Sequence, residues 1–262
     1  MLTFKLILTY DGTDFSGWQR QPKKRTVQGV VEEALARVAG RHWPVIGAGR
    51  TDAGVHALAQ AASVQGDIRL KPAVLLKALN AVLPEDVRLL SAKSAPADFN
   101  ARRSALSKLY RYRLYLRPVL PPFLRRYVLH WPYPLDIEAM SRAAGLFVRE
   151  DDFSAFSSNR FLTPIRRVMR SELRRRGPEL HYLVEANGFL KYMVRAMAGT
   201  LLEVGRGRLA PEKVEELFRK RQRTLSSPTV PSRGLWLVRV AYGPRARPSL
   251  DRAGASSRRM VD

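Results

Sequence analysis

Between two apolar runs the chain carries Gly49-Arg50-Thr51-Asp52-Ala53-Gly54-Val55-His56-Ala57, a lone carboxylate set between glycines and close to an arginine. Glycine permits backbone torsions closed to other residues, so the segment can turn sharply and still approach a bulky ligand. A carboxylate held there can serve as nucleophile or base. The same spacing suits a plain turn, because Asp two residues before Gly closes turns through its own side chain. What favours a site is density: Arg50, Thr51, Asp52 and His56 fall within seven positions, and loops of this kind are where sites gather.

Two more residues bear on that carboxylate. In Tyr110-Arg111-Tyr112-Arg113-Leu114-Tyr115-Leu116, period-two alternation puts Tyr110, Tyr112, Leu114 and Leu116 on one face and the arginines on the other. Tyr110 is then either a core-edge tyrosine or a platform on which a base stacks. A helix expected from Phe189 to Val204 has an apolar stripe that leaves out Arg195, four residues after Lys191. Such a like-charge pair mildly disfavours a helix unless one member has an anionic partner. Asp52 is a candidate partner, and an Arg opposite it would keep it ionised and oriented.

The chain has 46 Lys plus Arg against 23 Asp plus Glu, a net charge of +23 and a pI near 11.1. That excess exceeds what solubility needs and implies a polyanionic partner. Nucleic acid is favoured over membrane, since no run approaches the roughly 18 apolar residues of a spanning helix and no lipidation motif is present. The first residues read as an alternating strand rather than a signal peptide, so a cytoplasmic location is expected. The absence of Cys removes thiolate chemistry and zinc ribbons. His42, His56, His130 and His181 lack metal-ligand spacing, and no phosphate-binding loop occurs, so neither a metal nor a cofactor is expected.

These residues must be positioned by secondary structure. Residues 3–10 read as a strand ending at the Asp11-Gly12 turn signal. Val27, Val30, Val31, Ala34, Leu35 and Val38 predict an amphipathic helix, with Thr26 capping its start and Gly40 ending it. Strands are expected at 44–49, 57–65 and 87–95, with a helix over 72–82. Residues 99–135 contain no Asp or Glu, which places a domain boundary near 103–108. Beyond it come strands at 109–117, 165–175, 180–187 and 235–242, and a helix over 136–147. The expected organisation is an α/β (α+β) protein of two related domains, 1–105 and 106–243, with a mobile basic tail from Pro244. The clusters Arg102-Arg103, Arg125-Arg126, Arg166-Arg167 and Arg174-Arg175-Arg176 each suit a solvated face, and act jointly only if the fold gathers them.

Tyr10-Asp11-Gly12-Thr13, Gly17-Trp18-Gln19-Arg20-Gln21 and the Asp52 nonapeptide together closely resemble the tRNA pseudouridine synthase A family. Phe99-Asn100-Ala101-Arg102, Lys108-x-Tyr110-x-Tyr112, Asp152-Phe153-x-x-Phe156, Asn187-x-Phe189, Met193-Val194-Arg195 and Gly234-Leu235-x-Leu237-Val238 follow in the family's order. The resemblance spans about residues 3–242. It implies mixed, mainly antiparallel sheets flanked by helices, with a basic cleft that has Asp52 and Tyr110 at its floor. It further implies isomerisation of uridine to pseudouridine at positions 38 to 40 of the tRNA anticodon stem-loop, by a homodimer without cofactor. Asp52 matches the family's essential aspartate, Tyr110 its base-packing tyrosine, Arg195 the arginine paired with the aspartate, and Arg50 an arginine linked to extruding the base. Leu235 or Leu237 matches an apolar wall near the aspartate. The rival readings are a non-catalytic RNA-binding protein and a metal-dependent nuclease.

Overall fold

In the computed structural model, which describes residues 2–68, 70–158, 163–222 and 227–243, strand alternation starts the chain as expected. β1 (Leu2–Tyr10) buries Phe4, Leu6, Leu8 and Tyr10 on one face. The turn after it leads to α1 (Val27–Ala39), where Thr26 Oγ1 accepts the Gly29 N–H at 3.3 Å and Gly40 closes the helix at φ 77°. A side-chain cap of this kind stabilises a helix by about 1 kcal/mol. Then follow β2 (Val45–Gly47), β3 (His56–Gly66), α2 (Pro72–Val82) and β4 (Val87–Ala95).

The second half runs β5 (Ser107–Tyr115), β6 (Leu129–His130), α3 (Ile137–Gly145), β7 (Glu150–Asp152), β8 (Ile165–Arg176) and β9 (Glu179–Ala186). α4 (Met193–Gly205), α5 (Lys213–Lys220) and β10 (Leu235–Ala241) complete it. Among the described residues the ten strands form one mixed sheet in the order β4-β1-β3-β10-β5-β9-β8-β7, with β2 on β3 and β6 on β5. Pairing is antiparallel except where β10 meets β3 and β6 meets β5. The last strand thus lies between the two halves: Trp236 pairs with His56 and Leu237 with Ala57, while Leu237 on its other side pairs with Tyr110. This register brings the strand behind the Asp52 loop within one strand of Tyr110.

Helices flank the sheet, and one contiguous core joins Leu6, Leu8, Val31, Leu35, Leu75 and Leu79 to Tyr110, Tyr112, Tyr182, Met140, Met193, Met197 and Leu201. Among the described residues no helix is long and apolar enough to cross a membrane. The expected tail from Pro244 lies outside the described residues.

Two helix expectations shift. The helix expected over 136–147 is α3, shorter because Asp136 is its cap and accepts the Ala139 N–H at 2.8 Å. The helix expected from Phe189 begins only at Met193, because Tyr192 sits in the left-handed region at φ 63° and breaks the run. Phe189 is therefore released from the helix and meets Tyr110 edge-on, ring centroids 5.1 Å apart.

Candidate active site

Asp52 lies in the loop between β2 and β3, and that loop is fixed from beneath. Gln60 on β3 donates to the Gly49 carbonyl at 2.9 Å, and the Tyr10 hydroxyl shares a hydrogen bond with Thr51 Oγ1 at 2.9 Å. The Trp18 N–H donates to the Thr51 carbonyl at 3.0 Å. Burial pushes the Tyr10 hydroxyl up to about 12, so it stays a neutral partner at working pH. Each such bond is worth about 1 kcal/mol net, but the groups are buried, and leaving one unmade costs more.

The two glycines of the motif act differently. Gly54 uses its freedom, at φ 75°, and a Cβ there would meet Ser232 Oγ at 2.6 Å. Gly49 is not in the left-handed region; a Cβ there would lie in ordinary contact, 3.4 Å from Lys108 Cε and Nζ. Behind the loop Gly17 adopts φ 94°, and a Cβ there would collide with the Thr51 carbonyl oxygen at 2.7 Å. The Gly17-Trp18 segment thus backs Asp52 by close backbone approach.

Asp52, Arg195 and Tyr110 come together from three elements. Arg195 Nη1 stands 3.5 Å from Asp52 Oδ2, with side-chain exposures of 16% and 28%. Burial pushes the Asp52 carboxyl above its ordinary value, and the charges of Arg195 and Lys191 oppose that without cancelling it. Arg195 is gripped by its surroundings: its Nε donates to the Val230 carbonyl at 2.7 Å, and its guanidinium lies 4.9 Å from the Tyr192 ring centre. The left-handed Tyr192 aims α4 so that Arg195 reaches the carboxylate. Lys191 precedes the helix, so the expected like-charge pairing within one helix does not arise, and the charges of both cations favour ionised Asp52.

Tyr110 is 6% exposed on the apolar face, as alternation predicts. Burial raises its hydroxyl above the ordinary range, and the nearby Tyr10 and Asp52 raise it further. Leu237 is its cross-strand neighbour and Leu235 that of Tyr112, both buried, so the two leucines line one apolar surface. Arg50 is exposed, and among the described residues it makes no hydrogen bond or ion pair.

His56 is accounted for. It is wholly buried, its Nε2 lies 3.0 Å from the Arg126 carbonyl, and the Gly12 N–H donates to its Nδ1 at 3.1 Å. Asp11 Oδ1 also stands 3.1 Å from Nδ1, so the ring ties the Asp11-Gly12 turn to the Arg126 backbone. The ring also stacks on Trp236 at 4.4 Å. It anchors the end of the Asp52 loop to the Asp11-Gly12 turn.

Sequence reasoning missed the segment before β10. Val230 holds Arg195, the Pro231 carbonyl accepts the Tyr112 hydroxyl at 2.8 Å, and Ser232 lies under Gly54. The Pro-Ser-Arg-Gly turn signal at 231–234 was the available clue. Of the basic clusters, the fold brings Arg102 and Arg166 together around Lys108, whereas Arg174 is paired to Glu172 and Arg126 to Asp14.

The geometry is that of a single oriented carboxylate beside an aromatic residue and several cations, on a strongly basic chain. The profile of the family described as tRNA pseudouridine synthase matches residues 6–102 and 143–243. The tRNA pseudouridine synthase A of Caldicellulosiruptor bescii is 42% identical over 244 residues, covering 92% of this chain and 100% of that protein. Those of Methylacidiphilum infernorum and Moorella thermoacetica are also each 42% identical, over 92% of this chain and 96% and 100% of theirs. The chain belongs to the tRNA pseudouridine synthase family, whose members are isomerases. A distant likeness, at 14% identity and a TM-score of 0.33, links 76% of this chain to 44% of a chain in the archaeal box H/ACA sRNP Nop10-Cbf5 complex.

Proposed function

We propose that this protein converts uridine to pseudouridine at positions 38 to 40 of the tRNA anticodon stem-loop, with Asp52 as the catalytic carboxylate. The observation that carries this reading is the Arg195–Asp52 ion pair at 3.5 Å in a braced loop beside Tyr110. In the reaction the N1–C1′ bond breaks, the base turns while held, and a C1′–C5 bond forms. C5 gives up its hydrogen and N1 gains one, so the formula is unchanged and no redox cofactor is required. Asp52 acts by attacking C1′, by adding to C6 or by taking a sugar proton, and each route needs it ionised. Arg195 serves that need against the burial that opposes it.

A stem uridine must first leave its stack, at a cost of a few kcal/mol that packing against Tyr110 partly offsets. Arg50, exposed and without a partner among the described residues, is assigned to handling the extruded base, and Leu235 or Leu237 to the apolar wall. Two units, divided near residue 105, bind the RNA in a basic cleft, and the enzyme works as a cytoplasmic homodimer. Sedimentation that finds only monomer at working concentration would contradict the dimer.

The test is to treat a set of unmodified tRNAs with the purified protein and map pseudouridine. Modification is expected at positions 38 to 40 with chain length unaltered on a gel. Asp52→Asn should bind tRNA and form none. Pseudouridine formation by that variant at the normal rate would overturn the assignment, and strand cleavage abolished by chelator would favour a nuclease.

A further inference from the structure

Lys108 enters β5 two residues before Tyr110, so alternation puts both side chains on the same face. Its amine lies against the Asp52 loop, within van der Waals reach of a Cβ built on Gly49, at 3.4 Å. The side chain is half-buried, yet among the described residues it makes no ion pair or hydrogen bond. Its charged neighbours are cations, Arg102 from the loop after β4 and Arg166 from β8. Burial first, and then those two, hold its ammonium down to about 8.

Arg166 does not drift away from this cluster. Its Nη1 donates to the carbonyls of Thr163 and Ile165 at 2.7 and 2.6 Å, and a Cβ on Gly188 would lie 3.5 Å from its Nε. Elsewhere the fold matches its arginines with carboxylates, as in Arg113–Glu179, Arg239–Glu185 and Arg149–Glu215. Here Lys108 lies beside the candidate carboxylate loop with Arg102 and Arg166 as its charged neighbours, and among the described residues none of the three is paired with a carboxylate. Desolvated like charges oppose folding unless an anion joins them.

We propose that Lys108, with Arg102 and Arg166, seats a phosphodiester of the RNA strand that carries the target uridine, and so positions that uridine against Asp52. This rests on the functional reading above. A phosphate suits the site because Lys meets it as a point charge while the flanking arginines offer planar forks. The contact of Lys108 with Gly49 limits the choice to phosphates next to the target nucleotide. Lys108 is a positioning residue, since it acts through the strand and not on the reacting atoms.

The test pairs protein and RNA changes. Stem-loops carry a single neutral methylphosphonate at one of the two phosphates on either side of the target uridine. Affinity and kcat/KM are measured with the wild type and with Lys108→Gln. Lys108→Gln should lower kcat/KM about tenfold or more, the worth of a charge-assisted hydrogen bond, and Lys108→Arg should recover most of it. At one position the methylphosphonate should cost the wild type a similar factor and cost Lys108→Gln little further. Losses that multiply at every position overturn the proposal. Thermal unfolding of free Lys108→Met supplies the second readout. A midpoint at or above wild type is expected when an unmatched cation is removed, and a clear fall would make Lys108 a support of the fold instead. If unmodified stem-loop gains no pseudouridine, the functional reading fails, yet the affinities still report the phosphate contact.

Discussion

Arg195 serves Asp52 and the chain before β10 with one guanidinium: Nη1 stands 3.5 Å from Asp52 Oδ2 while Nε donates to the Val230 carbonyl at 2.7 Å. A lysine ammonium has no such fork. Arg195→Met should cut turnover by roughly a hundredfold, the scale of a small misplacement in a catalytic site. It should also move the acidic limb of the pH–rate profile upward, because burial then raises Asp52 with less opposition. Arg195→Lys should keep the limb near its wild-type position while losing part of the rate. An unmoved limb in Arg195→Met would mean that Arg195 does not govern the ionisation of Asp52.

The Asp52 carboxyl is held above its ordinary value of 3.8, chiefly by burial. The folded state therefore binds that proton more tightly than the unfolded chain does. The associated stability is fully present below the unfolded value and is lost as pH rises through the folded one. At neutral pH the ionised Asp52 costs stability. Asp52→Asn should then be inactive yet unfold at the same or a higher temperature at pH 7, since Arg195 keeps Val230 and the Tyr192 ring. The difference from wild type should shrink as pH falls through the carboxylate range. A variant much less stable than wild type at pH 7 would contradict this.

Much of this arrangement is legible in the sequence because it depends on local rules. Thr26 and Gly40 bound α1 where capping chemistry puts them, and alternation along β5 aims Tyr110 at the apolar side. The family resemblance singled out Asp52 and Arg195 together, and the fold brings them into contact. Less legible was what depends on tertiary context. Tyr192 takes a left-handed conformation that no propensity assigns to tyrosine, and it resets the start of α4. α5 has eight residues and buries Val214, Leu217 and Phe218, too short an apolar stripe to stand out in the sequence. The family motif names Lys108 without giving it a role, because only the fold brings Arg102 and Arg166 to it.

His56 carries the opposite pH dependence. Burial holds its imidazole below the ordinary value of 6.5, with Asp11 pulling the other way. The unfolded chain then binds a proton more readily, so stability is present above the unfolded value and falls as pH drops through about 6.5. Thermal midpoints of the wild type should decline from pH about 8 to about 5. His56→Gln should start lower, having lost the stack on Trp236, but should decline less over that range. Parallel slopes would remove His56 as the titrating group.

Gly17 and Gly40 separate torsional strain from collision. Both have positive φ, 94° and 77°, but a Cβ on Gly40 meets nothing within 4 Å while one on Gly17 strikes the Thr51 carbonyl oxygen at 2.7 Å. Gly40→Ala should cost about 1 kcal/mol of stability and leave turnover unchanged. Gly17→Ala should cost more, because the collision with the Thr51 carbonyl adds to a similar torsional cost of about 1–2 kcal/mol, and should also lower turnover by shifting the loop that carries Asp52. Equal turnover in the two variants would mean that the Gly17 contact does not fix the Asp52 loop.

Tyr110 divides into ring and hydroxyl. The ring packs edge-on to Phe189 at 5.1 Å and lies across the strand pair from Leu237, while among the described residues the hydroxyl makes no hydrogen bond. Burial, with Tyr10 and Asp52 adding to it, keeps that hydroxyl protonated. Tyr110→Phe should therefore unfold at the wild-type temperature and retain near-normal turnover, because stacking needs only the ring. Tyr110→Ala opens a cavity in the core and should lose about 3–5 kcal/mol of stability together with base packing. Single-turnover rates with saturating tRNA decide the chemistry. A large loss in Tyr110→Phe, at unchanged stability and tRNA affinity, would assign the hydroxyl to proton transfer and displace the stacking role.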